Sequence, residues 1–337
     1  MRKDLTIALL LAASLAAVEA RAQASYPCVN DAPNPYKQSS NWAQTPRPWG
    51  PVNALYADSK DNLWVFDRCG DKGCGDSNLN PIYQLSPAGK TMKNFGAGQF
   101  ISAHGLAVDK DGNIWAADFQ AKDGKGAQVV KFSPDGKVLL KLGKAGATEG
   151  EGAFNQPTGV AVASNGNIYV AEGHGSKLNK SQINIYEKGG KFIKSFASHG
   201  KGDGQLTEPH AIAIDRQDRV YVADRTSARI NVYDKDGKFL ASWKQFGRPS
   251  GVWVDGNDMI YVADSQSDAD PAKPNYNGGC KMGIRVGSVK DGKVMYYIPP
   301  PAGTSDKVPP PEGITVDSKG TIYAAAVQGL DVKKYTK

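Results

Sequence analysis

The sequence predicts an all-β fold: a six-bladed β-propeller of four-stranded antiparallel blades, its ring closed by an N-terminal strand. Three observations predict it. One phrase recurs in six copies at intervals of roughly 40 to 60 residues. Each copy reads as a short apolar strand, a polar turn and a second, alternating strand, and most copies are followed by two further strands. No segment of useful length carries the 3.6-residue period of an amphipathic helix.

The first residues read as a processing signal. Arg2 and Lys3 precede an apolar run from Leu5 to Val18, and Ala22-Gln23-Ala24 fits a small-x-small cleavage site. Residues 1–24 are therefore expected to be removed, leaving 25–337 as a single domain. The run is too short for a membrane span, and no later stretch qualifies. A periplasmic or secreted location follows.

The six copies start at Pro51 (PVNALYADSKDNLWVFD), Ala103 (AHGLAVDKDGNIWAAD), Pro157 (PTGVAVASNGNIYVAE), Pro209 (PHAIAIDRQDRVYVAD), Pro249 (PSGVWVDGNDMIYVAD) and Pro311 (PEGITVDSKGTIYAAA). Third strands such as QINIYEKGGK and RINVYDKDGK follow, then fourth strands such as FIKSFA and FLASWK, with Asp-Gly and Gly-Gly hairpin turns between them. The sixth copy ends after its third strand, at Lys337. The missing strand is expected from Ser40 to Thr45 (SNWAQT), which would close the ring and leave no exposed sheet edge. Two insertions, 68–80 and 265–280, follow second strands and are expected as loops on one face, where repeat proteins carry specificity.

Cys28, Cys69, Cys74 and Cys280 make an even set in an exported chain, which favours disulfides. Cys69 and Cys74 flank a short loop and are the local pair, which leaves Cys28 with Cys280. The spacings match no common zinc pattern, the alternative use of such cysteines. The formal charge is +7, and signal removal leaves +6, because Arg2, Lys3 and Arg21 depart with Asp4 and Glu19. Lysines are spread over turns and form no basic stripe, so nucleic acid is excluded as a partner. A monomer is the expectation.

Differences between the copies locate a site. The residue just before each inner strand reads Val52, His104, Thr158, His210, Ser250 and Glu312. Blades 2, 4 and 6, about 120° apart in a six-fold ring, carry His104, His210 and Glu312. Two imidazoles and a carboxylate converging on an axis form a plausible divalent-metal site with an open position. Each could instead serve the scaffold: a His by bonding a neighbouring backbone, Glu312 as a surface carboxylate. After the second strands come Arg68, His174 and Arg225, on the same mouth. The arginine forks suit carboxylate or carbonyl oxygens, unless each is consumed in a salt bridge to the Asp before it or to a neighbouring blade. His199, in a connection between blades, is expected in solvent.

The phrase P-x-G-I/V-A-V-D…G-N-I-Y-V-A-D resembles the NHL repeat over nearly the whole mature chain. A narrower resemblance is to peptidyl-α-hydroxyglycine α-amidating lyase. That family holds a catalytic zinc through three His, binds a structural calcium, and cleaves a carbinolamide to a peptide amide and glyoxylate. AHGLAVD and EPHAIAID match its first two zinc motifs and imply His104 and His210 as ligands; VFDR and VADR imply Arg68 and Arg225 as its active-site arginines. Two positions depart. His174 stands where the family has its catalytic Tyr, and Glu312 where it has the third zinc His. Gly313 replaces an Asp of the calcium site, which puts calcium in doubt.

The resemblance implies a metal-dependent, lyase-like enzyme acting on a carboxylate-bearing small molecule or peptide end. His104, His210 and Glu312 would hold the metal, His174 would be the base, and Arg68 and Arg225 would grip the carboxylate. The competing expectation is a non-catalytic NHL propeller that binds a protein or peptide partner. A gluconolactonase-type site, centred on calcium held by acidic and amide groups, is disfavoured by the two His.

Overall fold

The computed structural model describes residues 28–39, 42–70, 73–175, 179–300, 311–327 and 330–337. The proposed signal segment and its cleavage site lie outside them. Six four-stranded antiparallel sheets form a ring, and one short 3-10 turn at Pro274–Tyr276 is the helical element among the described residues. The inner strands are Val52–Ala57, Ala103–Val108, Pro157–Val162, Pro209–Ile214, Pro249–Val254 and Gly313–Val316. Each pairs with the next strand in sequence, so every blade is a meander running outward from the axis. The expected architecture is the observed one.

Closure differs in detail. The strand that completes blade 6 is Lys37–Ser39, antiparallel to Asp331–Thr336. This is upstream of the expected Ser40–Thr45. Ser40 and Asn41 lie outside the described residues; Gln44 instead bridges to Lys90 of blade 1, and Trp42 packs on Tyr323 with ring centroids 5.1 Å apart. Trp42, inside the expected strand, is thus a wedge between the last blade and the first. Both expected disulfides are present, Cys28–Cys280 and Cys69–Cys74. They suggest an oxidising environment. No helix among the described residues is long and apolar enough to cross a membrane.

Two repeated devices explain why the phrase folds this way. At the end of the inner strand Asp58, Asp109, Asp215, Asp255 and Asp317 accept backbone N–H groups of their own turn. Each also accepts the indole or phenol of the next strand: Trp64, Trp115, Tyr221, Tyr261 and Tyr323. Blade 3 has Ala163 at this place, and its Tyr169 turns to the Lys235 carbonyl of the next blade. The second device sits at the other end. Asp67, Asp118, Glu172, Asp224 and Asp264, all fully buried, close the second strands. Each captures a backbone N–H of the segment leading into its own inner strand, as Asp118 does for Ile101 and Ser102 at 2.7 and 2.6 Å. A buried carboxylate satisfied this way fixes the backbone just before the strand, which is where the site residues sit.

Apolar faces meet between blades, for example Trp64, Phe66, Phe100 and Phe132 between blades 1 and 2. At about 1.5–3 kcal/mol per fully buried large side chain, these seams hold the ring. The axis itself is lined by inner strands around a channel of about 180 Å³. Tyr56 and Trp253 meet edge to face across it at 4.9 Å. They line both this channel and a separate cavity on the opposite face, so they form a floor between the two.

Candidate metal centre and its arginine rim

The inner strands begin with a bulge. Pairing skips one residue between Val52 and Ala54, Ala103 and Gly105, Pro157 and Gly159, Pro209 and Ala211, and Pro249 and Gly251. The skipped residues are Asn53, His104, Thr158, His210 and Ser250; a residue freed from the ladder can turn its side chain to the axis. This corrects the blade 1 position, which is Asn53 and not Val52. Val52 belongs to the apolar seam with blade 6. The glycine after the bulge lets neighbouring blades close in: a Cβ on Gly105 would lie 2.5 Å from the Thr158 carbonyl oxygen.

His104 and His210 are 4 % and 3 % exposed. His104 donates from Nδ1 to the Thr158 carbonyl at 2.8 Å, and His210 from Nδ1 to the Ser250 carbonyl at 2.6 Å. A carbonyl can only accept, so in both rings the proton sits on Nδ1 and Nε2 carries a free lone pair. Both Nε2 atoms are buried without a hydrogen-bond partner. Burial, followed by His174 and Arg68 beside His104 and by Arg225 beside His210, holds both imidazoles well below their ordinary pKa, so they are neutral at pH 7. Buried, orphaned and neutral imidazole nitrogens sharing one spot are what a divalent metal requires.

The third member is His174, from the loop after strand Ile168–Glu172. His104, His174 and His210 each offer a ligand atom within 4.8 Å of the others. Ring centroids are 4.6 Å apart for His104–His210, 5.1 Å for His104–His174 and 5.0 Å for His174–His210. Burial and then Arg225 lower the His174 pKa to about 4. Glu312, expected as the third ligand, falls outside this cluster. Its Oε2 accepts from Asn53 Nδ2 at 3.1 Å, and its Oε1 lies 3.9 Å from Arg225 Nη1. The carboxylate is drawn sideways by an amide and a cation, while the loop of blade 3 folds His174 inward.

The two expected arginines are both at this mouth, and neither is consumed by the Asp before it. Asp67 pairs with Arg47 at 2.6 Å and Asp224 with Arg229 at 3.0 Å. Arg68 donates Nε to the Ala103 carbonyl at 3.0 Å and stacks on Phe119, 5.3 Å from the ring centre. Arg225 is held by Glu208, with Nη2 to Oε1 at 2.6 Å and Nε to Oε2 at 3.3 Å, and its Nη2 also reaches His174 Nε2 at 3.3 Å. Burial raises the Glu208 pKa, but Arg225 and Thr226 outweigh it and the net shift is downward. His199 is exposed, as expected, and bonds Ser181 away from the site.

Sequence reasoning missed Glu208, Phe119 and Asn53. One countable signal was available for Asn53: each of the five bulged residues lies five positions before the end of its inner-strand phrase, at Asp58, Asp109, Ala163, Asp215 and Asp255.

A family described as a 6-bladed β-propeller matches residues 147–268. Peptidylglycine α-amidating monooxygenase of Rattus norvegicus is 31% identical over 208 residues, covering 53% of this chain and 20% of that protein. Peptidyl-α-hydroxyglycine α-amidating lyase 1 of Drosophila melanogaster is 32% identical over 160 residues, 42% of this chain and 29% of that one. NHL repeat-containing protein 3 of Homo sapiens is 28% identical over 264 residues, 71% and 70% of the two chains. The matched segment thus spans about a fifth of the amidating monooxygenase. Among solved structures, a gluconolactonase from Xanthomonas campestris superposes with a TM-score of 0.62 at 14% identity, covering 92% of this chain and 96% of that one, which supports the fold alone. The chain is a six-bladed β-propeller with moderate homology to peptidyl-α-hydroxyglycine amidating lyases and NHL-repeat proteins.

Proposed function

We propose that the mouth of the channel is a metal-dependent, lyase-like active site for a carboxylate-bearing small molecule or peptide end. The observation that carries the proposal is the pair of orphaned Nε2 atoms on His104 and His210, beside a third imidazole and under two arginines. His104, His174 and His210 would hold the ion. Three neutral imidazoles suit zinc among divalent metals. When bound, it would supply Lewis acidity toward a substrate hydroxyl or carbonyl.

The chain's own groups supply the rest. The Arg68 and Arg225 forks grip the substrate carboxylate and offset negative charge that develops beside it. With His174 among the ligands, the proton acceptor is Glu312, which Asn53 and Arg225 hold at the same mouth. This exchanges the two roles expected for His174 and Glu312. For a carbinolamide, the hydroxyl would give its proton to Glu312, its oxygen would form the C=O of glyoxylate as the C–N bond breaks with its electron pair on nitrogen, and Glu312 would return the proton to the departing amide nitrogen. Phe119 shields one side of the reacting centre from water.

The test uses purified mature protein. Elemental analysis should find about one equivalent of divalent metal, lost together in His104→Ala and His210→Ala. Glyoxylate release from an N-acyl-α-hydroxyglycine should stop on chelation and return with zinc. A protein that stays metal-free after zinc loading, with wild-type behaviour in both variants, would defeat the proposal. A second reading, a partner-binding propeller, is favoured by the long match to the NHL repeat-containing protein. A partner retained after chelation, and in the double His variant, would support it.

A further inference from the structure

Among the described residues, six of the eight arginines are neutralised. Arg47, Arg216, Arg219, Arg225, Arg229 and Arg285 each lie within 3.5 Å of a carboxylate oxygen. Among the described residues, Arg68 and Arg248 are the arginines with no such pair. Arg68 is at the mouth already described. Arg248 had no role in the reading of the sequence.

Arg248 occupies the blade position of Glu208. Each lies one residue before the proline that opens its inner strand, and Pro209 pairs with Asp224 as Pro249 pairs with Asp264. Glu208 reaches into the site from this position, so Arg248 stands on the same rim one blade further on. Its backbone N–H is pinned by Asp264 at 3.1 Å and by Ser267 at 3.1 Å. Two residues later, the Ser250 carbonyl orients His210. The side chain is 9 % exposed. Its Nη1 donates to Gln266 Oε1, a neutral partner, its guanidinium lies 5.3 Å over the Tyr276 ring, and its Nε is buried with no partner. Gln266 and Tyr276 both belong to the 265–280 insertion, which the Cys28–Cys280 disulfide anchors. A loop found in one blade alone thus holds a desolvated cation in place without neutralising it. Burial, and then the charge of Arg225, push its pKa down, and Glu208, Tyr276 and Asp264 offset this only in part. An unpaired buried cation is costly unless an anion completes it.

We propose that Arg248 is a specificity-determining residue that binds a second carboxylate of the substrate, so that the site prefers a glycine-type carboxyl end preceded by an acidic residue. This rests on the reading that Arg68 and Arg225 take the first carboxylate.

Calorimetric titration of the mature, zinc-treated protein with N-acetyl-Glu-Gly and N-acetyl-Gln-Gly tests it at low salt. A charge-assisted hydrogen bond gives a preference of about tenfold for the Glu peptide, and the preference shrinks as salt screens it. Arg248→Gln should bring the Glu peptide to the Gln peptide's affinity, with melting confirming that the variant is folded. Arg68→Gln should weaken both peptides alike. Equal affinities in the wild type, no binding of either peptide, or a preference that survives in Arg248→Gln overturns the proposal. If Arg68→Gln changes neither affinity while Arg248→Gln abolishes the preference, the second subsite stands and the carboxylate grip of the proposed function falls.

Discussion

Replacing Glu208 by Gln removes one charge from the most enclosed ion pair of the site. The Glu208 and Arg225 side chains are 9 % and 7 % exposed, and the pair closes at 2.6 Å. Breaking a buried pair by removing one partner costs about 3–5 kcal/mol, because the surviving charge is left desolvated. Two features place Glu208→Gln at the low end. The amide oxygen can still accept from Arg225 or Thr226, and Glu312 remains 3.9 Å from Arg225 Nη1 as a weaker counter-charge. The expected loss is about 3 kcal/mol, or roughly 5 °C in Tm for a chain of this size. Equilibrium urea unfolding of the disulfide-intact protein measures it, with Cm shifting and the slope unchanged. Carboxylate affinity should fall in parallel, since Arg225 would swing toward Glu312. A loss below about 1 kcal/mol would refute the reasoning, because it would mean that Arg225 is solvated and not dependent on Glu208.

Three further outcomes are expected. Gly105→Ala should destabilise and also cut metal affinity, because the new Cβ would press on the Thr158 carbonyl that orients His104; wild-type zinc affinity in that variant would disprove the coupling. The double variant Cys28→Ser with Cys280→Ser opens a loop whose ends are 252 residues apart, and chain entropy puts the cost at up to about 5 kcal/mol; thermal unfolding with and without reductant measures it, and identical curves would contradict a structural role. The Asp109 carboxyl is pushed up by burial, yet Asn113, Trp115 and Lys131 outweigh this and hold it below its ordinary value. Its folded pKa is thus lower than its unfolded value of about 3.9, so its stabilisation is present above that pH and is lost as pH falls. The stability gap between wild type and Asp109→Asn should narrow as pH falls below about 4, and a constant gap would show that the charge contributes nothing.

The repeating parts of this molecule were legible because they obey local rules. Strand alternation, turn dipeptides and the Asp that ends each inner strand recur in every blade or nearly so, and repetition averages out error. His104, His210, Arg68 and Arg225 were legible for the opposite reason: they break the repeat at equivalent positions. What stayed hidden depends on contacts across the ring. Glu208 reads in sequence as one more residue before a proline, and only the blade 4 loop folding back shows that it holds Arg225. Glu312 was expected as the ligand and His174 as the base, but which of them joins the other two imidazoles turns on how far each side chain is pulled aside. Val52 was mistaken for Asn53 because alignment on Pro51 counts from the wrong end of a bulge. Trp42 was read as a strand residue although it serves as a wedge.

The Tyr56–Trp253 contact has a kinetic meaning. A passage narrowed at one end by two touching rings makes arrival and departure favour a single doorway. Whatever is formed deepest must wait for whatever lies nearer the rim to leave. If the proposed lyase reaction runs at this mouth, the larger fragment should leave first, the smaller one should be kept briefly, and that smaller fragment should inhibit competitively with fresh substrate. Trp253→Ala would widen the narrow end, and relief of that inhibition in steady-state assays would show the doorway to be shared; unchanged inhibition would show that it is not.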